Sequence, residues 1–144
     1  MAERGRILES DEDVTDLLRQ AKRMAILGIK PESHSSAPAH YVPAYLQRVG
    51  YEIVPVPVYY PDVTEILGEP VYRKLAEVPG DIDLVVVFRR PKDVPPHVDD
   101  IIAMKPGAVW MQLGIRNDAA AERLVEAGID VVQDRCTMVE HRMA

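Results

Sequence analysis

Basic side chains directly follow two of the apolar runs in this sequence. Lys30 comes after the run 24–29, and Arg89 and Arg90 come after the run 84–88. Ammonium and guanidinium groups are well suited to bind phosphate oxygens. The chain as a whole has a net charge of −6, which argues against non-specific nucleic-acid binding because that usually requires a basic surface. A local basic rim on an acidic protein therefore predicts a small phosphorylated ligand.

The segment that follows Gly28 has the composition of a loop that contacts phosphate. A glycine at the end of a strand lets the backbone approach a pyrophosphate, and a following helix N-terminus supplies N–H donors. Side chains of this segment would add hydrogen bonds and charge, namely Ser33, His34, Ser35 and Ser36. A solvated surface loop accounts for the same residues equally well, so composition alone leaves both interpretations open.

The second apolar run ends in a way that disfavours a dinucleotide cofactor. Dinucleotide-binding domains carry G-x-G-x-x-G after the first strand and an acidic residue near the end of the second. Here Gly28 lacks the further glycines, and the run 53–56 is followed by Pro57 rather than by a carboxylate. This proline-rich exit suits an adenine ring better than a ribose diol. An NAD(P)-dependent oxidoreductase stays as the alternative, supported by fold analogy alone.

The nucleophiles and metal ligands of the sequence do not form a catalytic pattern. Cys136 is the only cysteine, which excludes an intrachain disulfide. The neighbouring Arg135 would favour its reactive thiolate, so a thiol-dependent acyl-transfer role is a third hypothesis beside a buried, inert thiol. The histidines lie in separate segments without the spacing of metal ligands, and they predict no metal site: His34, His40, His97 and His141.

Apolar runs of strand length alternate with amphipathic helical patterns along the chain. Continuous apolar runs predict strands buried on both faces, and they cover residues 24–29, 53–56, 84–88 and 108–111. A last short strand is predicted at residues 129–132, which include Asp130. Helical periodicity fills most of the intervals. Strands that alternate with helices indicate βαβ units, so the predicted fold is α/β, a doubly wound parallel sheet between two helical layers.

Capping residues mark several helix boundaries, and one region is irregular. Ser10 begins the first predicted helix, and Asn117 begins another that Gly128 terminates. The weakly patterned region from 57 to 80 predicts three short elements: a helix at residues 64–67, a strand near Val71 and a helical turn around Leu75.

The chain length of 144 residues fits a single domain. We expect residues 1–144 to form one unit, with a core at about 22–133, an N-terminal helix at 10–21 and a helical tail at 134–144. The sequence contains no apolar segment typical of a signal peptide or a membrane span. Together with the lone cysteine, this predicts a cytoplasmic protein without membrane partners. Exposed sheet edges and the C-terminal helix would allow a homodimer.

Several motifs resemble those of a known family. The runs Ala-Ile-Leu-Gly at 25–28 and Ile-Val-Pro-Val at 53–56 resemble the opening of the small, stand-alone CoA-binding domain proteins. The runs Trp-Met-Gln-Leu-Gly at 110–114 and Asp-Arg-Cys at 134–136 resemble later signatures of that family and are more specific. The matches follow in order over residues 24–141. Such proteins are similar to the N-terminal, Rossmann-like domain of the succinyl-CoA synthetase α subunit.

By this resemblance, coenzyme A or an acyl-CoA would lie across the ends of the strands. Its diphosphate would contact Gly28, Ile29 and Lys30. Its adenine would be flanked by Val54, Pro55 and Val56. Its pantetheine would pass Phe88, Arg89, Trp110 and Gln112, with Arg90 adding charge to the rim. Because Lys30 stands where the family usually has serine, the phosphate contacts of Lys30 and of residues 33–36 are inferred from their chemistry.

The resemblance implies binding rather than catalysis. The synthetase uses a histidine of a further domain and a partner subunit, and this chain has no segment that matches that histidine region. We therefore expect a module that holds CoA or an acyl-CoA without catalytic machinery of its own. It would act as a sensor, carrier or regulatory subunit, either as a homodimer or beside a partner enzyme subunit.

Overall fold

The structure, a computed structural model, describes residues 3–144. Its strands are β1 (Arg23–Leu27), β2 (Glu52–Val56), β3 (Glu65–Ile66), β4 (Glu69–Pro70), β5 (Leu84–Val87), β6 (Ala108–Met111) and β7 (Asp130–Val132). Its α-helices are α1 (Asp11–Gln20), α2 (Pro38–Arg48), α3 (Val98–Met104), α4 (Asp118–Glu126) and α5 (Thr137–Met143). Two of the short elements predicted for the irregular region are present, as β4 beside Val71 and as the 3-10 turn Leu75–Glu77.

Five strands form one parallel sheet in the order β2-β1-β5-β6-β7. β1 pairs with β2 on one side and with β5 on the other, so the chain builds the two halves of the sheet in opposite directions from β1. This doubly wound arrangement has one switch point, between β1 and β5. The predicted fold class, a Rossmann-like α/β sheet, is confirmed.

The sheet is buried on both faces because its strands carry apolar residues in both directions. Along β1, Ala25 and Leu27 pack into one apolar cluster, whereas Met24 and Ile26 pack into a second cluster on the opposite face. Helices α3 and α4 cover the first face, and α1, α2 and α5 cover the second. The molecule therefore has the three layers that the sequence predicts.

The capping residues predicted from the sequence begin two of the helices. Ser10 Oγ accepts the N–H of Asp13 at the start of α1, and Asn117 Oδ1 accepts the N–H of Ala120 at the start of α4. Gly128 follows α4 with a φ of 87°, a left-handed conformation that glycine adopts without strain. Within residues 3–144, none of the helices combines the length and apolar character needed to cross a membrane.

Residues 64–67 belong to a hairpin rather than to the predicted short helix, so that prediction is wrong. β3 and β4 pair antiparallel, and Leu67 and Gly68 connect them with φ values of 55° and 76°. A two-residue turn with positive φ at both positions suits the twist of paired strands. Leu67 is held there because its N–H donates to Glu32 Oε2 (2.8 Å) and its carbonyl accepts from Gln47 Nε2 (2.9 Å).

Other segments of the chain cover both edges of the five-stranded sheet. At β7, the N–H of Val131 donates to the carbonyl of Arg6 (2.9 Å), and its carbonyl accepts the N–H of Leu8 (2.8 Å). At β2, the N–H of Tyr72 donates to the carbonyl of Pro55 (3.0 Å). Pro55 has no N–H of its own, which explains why it occupies an outer strand of the sheet.

Candidate functional site

The ends of β1, β2 and β5 converge at Gly28, beside the switch point where doubly wound sheets bind ligands. The N–H of Gly28 donates to the carbonyl of Val56 (2.9 Å), and the N–H of Phe88 donates to the carbonyl of Leu27 (2.8 Å). Gly28 has a φ of 90°, and a Cβ on it would lie 2.3 Å from the carbonyl oxygen of Phe88. Only glycine therefore fits at this point.

Two clefts open from the switch point and share a wall formed by Lys30, Phe88, Arg89 and Arg90. The first, which we call the aromatic arm, has a volume of about 250 Å³ and extends past Tyr59 and Tyr60. The second, the apolar arm, has a volume of about 340 Å³ and extends past Pro38, Leu113 and Ile115. Because the two arms share this wall, they form one cleft. The wall carries three cations, so the centre of the cleft is basic.

Arg89 contributes the buried cation of this centre. Its side chain is 15% exposed, and its guanidinium lies over the ring of Tyr59 at 5.4 Å from the centroid. One of its terminal nitrogens is 3.9 Å from Asp93 Oδ2. Its Nε is buried and has no hydrogen-bond partner in the described part of the chain. A buried donor without an acceptor is unfavourable, so an anionic ligand in the cleft would relieve that cost.

Lys30 and Arg90 supply the other cations of the shared wall. The ion pairs formed among residues 3–144 do not include Lys30. Arg90 Nε lies 2.9 Å from Asp93 Oδ2, the same carboxylate that faces Arg89. One carboxylate thus serves two guanidinium groups, and the centre keeps a positive charge that attracts anions.

The hydroxyl-rich loop lies beside the cleft rather than along its walls. Residues 33–36 are all exposed. Ser33 Oγ is bonded to His34 Nδ1 (3.0 Å), and the His34 ring packs against Tyr60 with centroids 5.1 Å apart. Ser33, His34, Ser35 and Ser36 are not among the residues that line the two arms. Their contact with a ligand stays a prediction.

Trp110 and Gln112, which the sequence predicts to border a ligand path, lie inside the molecule, and their contact with a ligand stays a prediction. Trp110 is fully buried, and its Nε1 donates to the carbonyl of Arg135 (2.7 Å). Gln112 is 4% exposed, and its Nε2 donates to Thr137 Oγ1 (2.8 Å). Both side chains are covered by the segment that leads into α5, so neither reaches the cleft.

The side chains predicted to flank adenine are also part of the core. Val54, Pro55 and Val56 are buried because this parallel strand, although it is an outer one, presents its side chains to the helical layers on both faces of the sheet. Ile29 is likewise fully buried. Gly28, Ile29 and Lys30 nevertheless all line the aromatic arm.

The residues that line the arms but were not identified from the sequence include four large side chains: Tyr59, Tyr60, Leu113 and Ile115. Tyr59 is 59% exposed and Leu113 is 70% exposed. Each lies a few residues beyond the end of β2 or β6. A large apolar or aromatic side chain just past a strand end is the signal that could have found them, since such exposed residues commonly mark binding surfaces.

A neutral histidine lies near Arg89. Burial lowers the pKa of His97 below its usual value of 6.5, and the positive charge of Arg89 lowers this pKa further. The carboxylates of Asp100 and Asp93 oppose these effects. His97 is therefore neutral at pH 7 and adds no charge to the basic centre.

Cys136 is separated from the cleft. It is partly buried against the second apolar cluster and lines neither arm. The neighbouring Arg135 directs its guanidinium to Asp11 (2.9 Å) and Glu140 (2.6 Å). The thiol-dependent hypothesis therefore gains no support from this geometry.

A larger opening, of about 730 Å³, lies at the opposite edge of the sheet, where β1 and β2 begin. Several of the polar side chains that line it are bonded to the protein itself. Arg23 Nε lies 2.6 Å from Glu52 Oε2, and the hydroxyl of Tyr51 donates to the carbonyl of Leu18 (2.6 Å). We assign the candidate site to the smaller cleft because it holds the buried Nε of Arg89, which lacks a partner in residues 3–144, and because it lies at the switch point.

Comparison with known proteins extends these observations. The sequence model of a family described as "CoA binding domain" matches residues 22–142. The uncharacterized protein YneT of Bacillus subtilis (strain 168) is 33% identical over 132 residues, which cover 92% of this chain and 94% of YneT.

Two solved structures are similar over nearly the whole chain. A protein from Thermus thermophilus shares 40% sequence identity at a TM-score of 0.85, with 94% of this chain and 98% of that chain covered. A hypothetical protein from Pyrococcus horikoshii OT3 shares 32% identity at a TM-score of 0.84, with 94% of this chain and 92% of that chain covered.

Proposed function

This chain belongs to the CoA-binding domain family, and we propose that it binds coenzyme A or an acyl-CoA in the cleft at the switch point, as a module without catalytic machinery of its own. One observation carries the proposal. The buried Nε of Arg89 lacks an acceptor in residues 3–144 and lies in a cleft whose shared wall also presents Lys30 and Arg90. A diphosphate supplies both the acceptors and the negative charge that this wall lacks.

The shape of the cleft supports the same ligand. Gly28 lines the aromatic arm at the end of β1, so a ligand there meets backbone rather than a side chain. The aromatic arm offers Tyr59 and Tyr60 to a planar base, since aromatic rings stack on bases. The apolar arm offers Leu113 and Ile115 to an extended, weakly polar chain such as pantetheine with an acyl group. The cleft thus offers the aromatic arm to the base, the basic centre to the phosphates and the apolar arm to the thioester chain.

The residues that line the two arms favour holding a ligand over transforming it. Along the described walls the ionisable side chains are Lys30, Arg89, Arg90 and the two tyrosines. General acid–base and nucleophilic catalysis mostly use imidazole, carboxylate or thiol groups, and those groups are not part of these walls. A sensor, carrier or regulatory subunit is the role that this chemistry supports.

Isothermal titration calorimetry with CoA, acetyl-CoA and NAD⁺ tests the proposal. We expect saturable binding of at least one CoA species. At a hundredfold excess over its Kd, that ligand should raise the free energy of unfolding by about 2.7 kcal/mol. Saturable binding of NAD⁺ with no binding of either CoA species would overturn the proposal and favour the oxidoreductase alternative. Native mass spectrometry of freshly purified protein gives an independent readout, because a retained ligand is identified by its mass.

A further inference from the structure

Both backbone polar groups of Lys30 are bonded to the first turn of α2. Its N–H donates to the carbonyl of Ala39 (3.0 Å), and its carbonyl oxygen lies 2.9 Å from Nδ1 of His40. A carbonyl only accepts, so His40 must carry a proton on Nδ1 and donate it. The backbone of the residue that lines both arms is therefore fixed to the helix at two points.

Pro43 explains why Ala39 can take part in this arrangement. In an α-helix the carbonyl of Ala39 would accept the N–H of residue 43, but proline has no N–H. The N–H of Lys30 supplies the missing donor. A residue that ordinarily weakens a helix interior thus leaves an acceptor free, and the loop after β1 uses it.

His40 is buried, with 6% exposure, although it carries a polar ring. An apolar side chain of similar volume would fill this position equally well in a purely structural role, and it would leave the carbonyl of Lys30 without its side-chain donor. The hydrogen bond to Lys30 is thus the particular contribution of the imidazole. It links the core of the protein directly to the basic centre of the cleft.

We propose that His40 is a positioning residue for recognition of the CoA diphosphate: it holds the carbonyl of Lys30 so that the Lys30 ammonium points into the cleft. This inference rests on the proposed function. Pro43 is the second part of the device, because it keeps the carbonyl of Ala39 available to the N–H of Lys30. Neither His40 nor Pro43 touches the ligand; both act through Lys30.

The first test compares two substitutions of the buried histidine. His40→Leu removes the donor and keeps the volume, and CoA affinity should fall about tenfold. His40→Asn keeps an N–H near the position of Nδ1 and should stay within about threefold of the wild type. As a matched control, His141→Leu removes a hydrogen bond to Tyr45 at the opposite edge of the sheet and should leave CoA affinity unchanged.

A double-mutant cycle separates positioning from a general structural effect. If His40 acts through Lys30, the tenfold loss caused by His40→Leu should shrink to less than about twofold in the Lys30→Ala background. The same loss with and without the lysine side chain would overturn the inference. An unchanged affinity of His40→Leu would also overturn it.

Pro43→Ala tests the second contact and does not depend on folding of the histidine variants. The new N–H competes with the N–H of Lys30 for the carbonyl of Ala39, so the backbone of Lys30 loses part of its restraint. We expect CoA binding to weaken about threefold at a temperature where the variant is folded, as circular dichroism verifies. An unchanged CoA affinity of the folded variant would overturn this part. Failure of the wild type to bind CoA would refute the proposed function, and the positioning role with it.

Discussion

We call the two sides of the sheet where its parallel strands begin and end the amino edge and the carboxyl edge. They differ in whether their charged groups have hydrogen-bond partners. At the amino edge, where β1 and β2 begin, Arg23 bonds Glu52 and the carbonyls of Pro79 and Asp81, while Asp83 accepts the N–H groups of two residues. At the carboxyl edge, the Nε of Arg89 is buried without a partner in the part of the chain that the structure describes.

The comparison teaches that volume is a poor guide to the site in this protein. The amino-edge opening is about 730 Å³, more than either arm of the carboxyl-edge cleft. Its Arg23, Tyr51 and Glu52 side chains already have partners, so an incoming ligand must compete with the protein for these groups. At the carboxyl edge a ligand satisfies groups that the fold leaves unsatisfied, and binding there has less competition to overcome.

Paired glycine substitutions should produce the largest contrast between the two edges. Gly28→Ala places a methyl group against the carbonyl of Phe88 and should lower the free energy of unfolding by about 3 kcal/mol. Gly50→Ala, at the amino edge, meets nothing within 4 Å and suffers only from its positive φ, a cost of about 1 kcal/mol. Urea denaturation measures both values, and equal losses would contradict the close packing at the switch point.

Paired arginine substitutions should separate binding from stability. Arg89→Met removes a buried unsatisfied donor, so CoA affinity should fall about tenfold to a hundredfold while stability is unchanged or higher. Arg23→Met removes bonds to Glu52 and to backbone carbonyls, so stability should fall by about 1–2 kcal/mol with CoA affinity unchanged. Calorimetric titration and urea denaturation check both. If both variants lose stability and neither loses affinity, the distinction between the edges fails.

A smaller loss of CoA affinity is expected when a lysine of the cleft is replaced. Lys30→Ala should weaken CoA binding about tenfold, and the difference from the wild type should shrink at high ionic strength because salt screens exposed charges. Lys22→Ala, beside the amino-edge opening, is the matched control and should bind CoA as the wild type does. An equal affinity for the Lys30 variant, measured at low salt, would remove Lys30 from the site.

The smallest expected effect is the change in the free energy of unfolding with pH that comes from His97, the histidine beside Arg89. Because burial lowers the pKa of His97 in the folded state, the unfolded chain binds more protons below pH 6.5. Stability should therefore decrease as the pH falls through that range toward the lowered pKa, and then level off. In His97→Gln this part of the pH dependence should disappear. Urea denaturation at a series of pH values measures it, and an unchanged slope would mean that another group is responsible.

The sequence predicts the strand ends well because parallel strands leave little freedom. Once the apolar runs are arranged as βαβ units, the residues that follow them must meet at one edge. Gly28, Lys30 and Arg89 are placed together by this rule alone. Their positions need no knowledge of how the helices pack.

The burial of Trp110 and the turn at Leu67 depend on contacts that periodicity does not contain. Trp110 is recognisable as a strand residue, but its burial results from the segment at Arg135, whose carbonyl it bonds. Leu67 adopts a positive φ because Glu32 and Gln47, far away in sequence, bond its backbone. In both cases the deciding partner comes from another element, which a local pattern cannot reveal.

The outer strands β2 and β7 are hydrogen-bonded to other segments of the chain, and this affects how copies of the protein can associate. Bare outer strands act as templates on which further chains add, the route to fibrous aggregates. In residues 3–144, backbone bonds from Arg6 and Leu8 already occupy Val131, and Tyr72 occupies Pro55. Deleting the chain through Leu8 should therefore expose a template at β7 and make concentrated samples prone to fibril formation, which thioflavin fluorescence would detect.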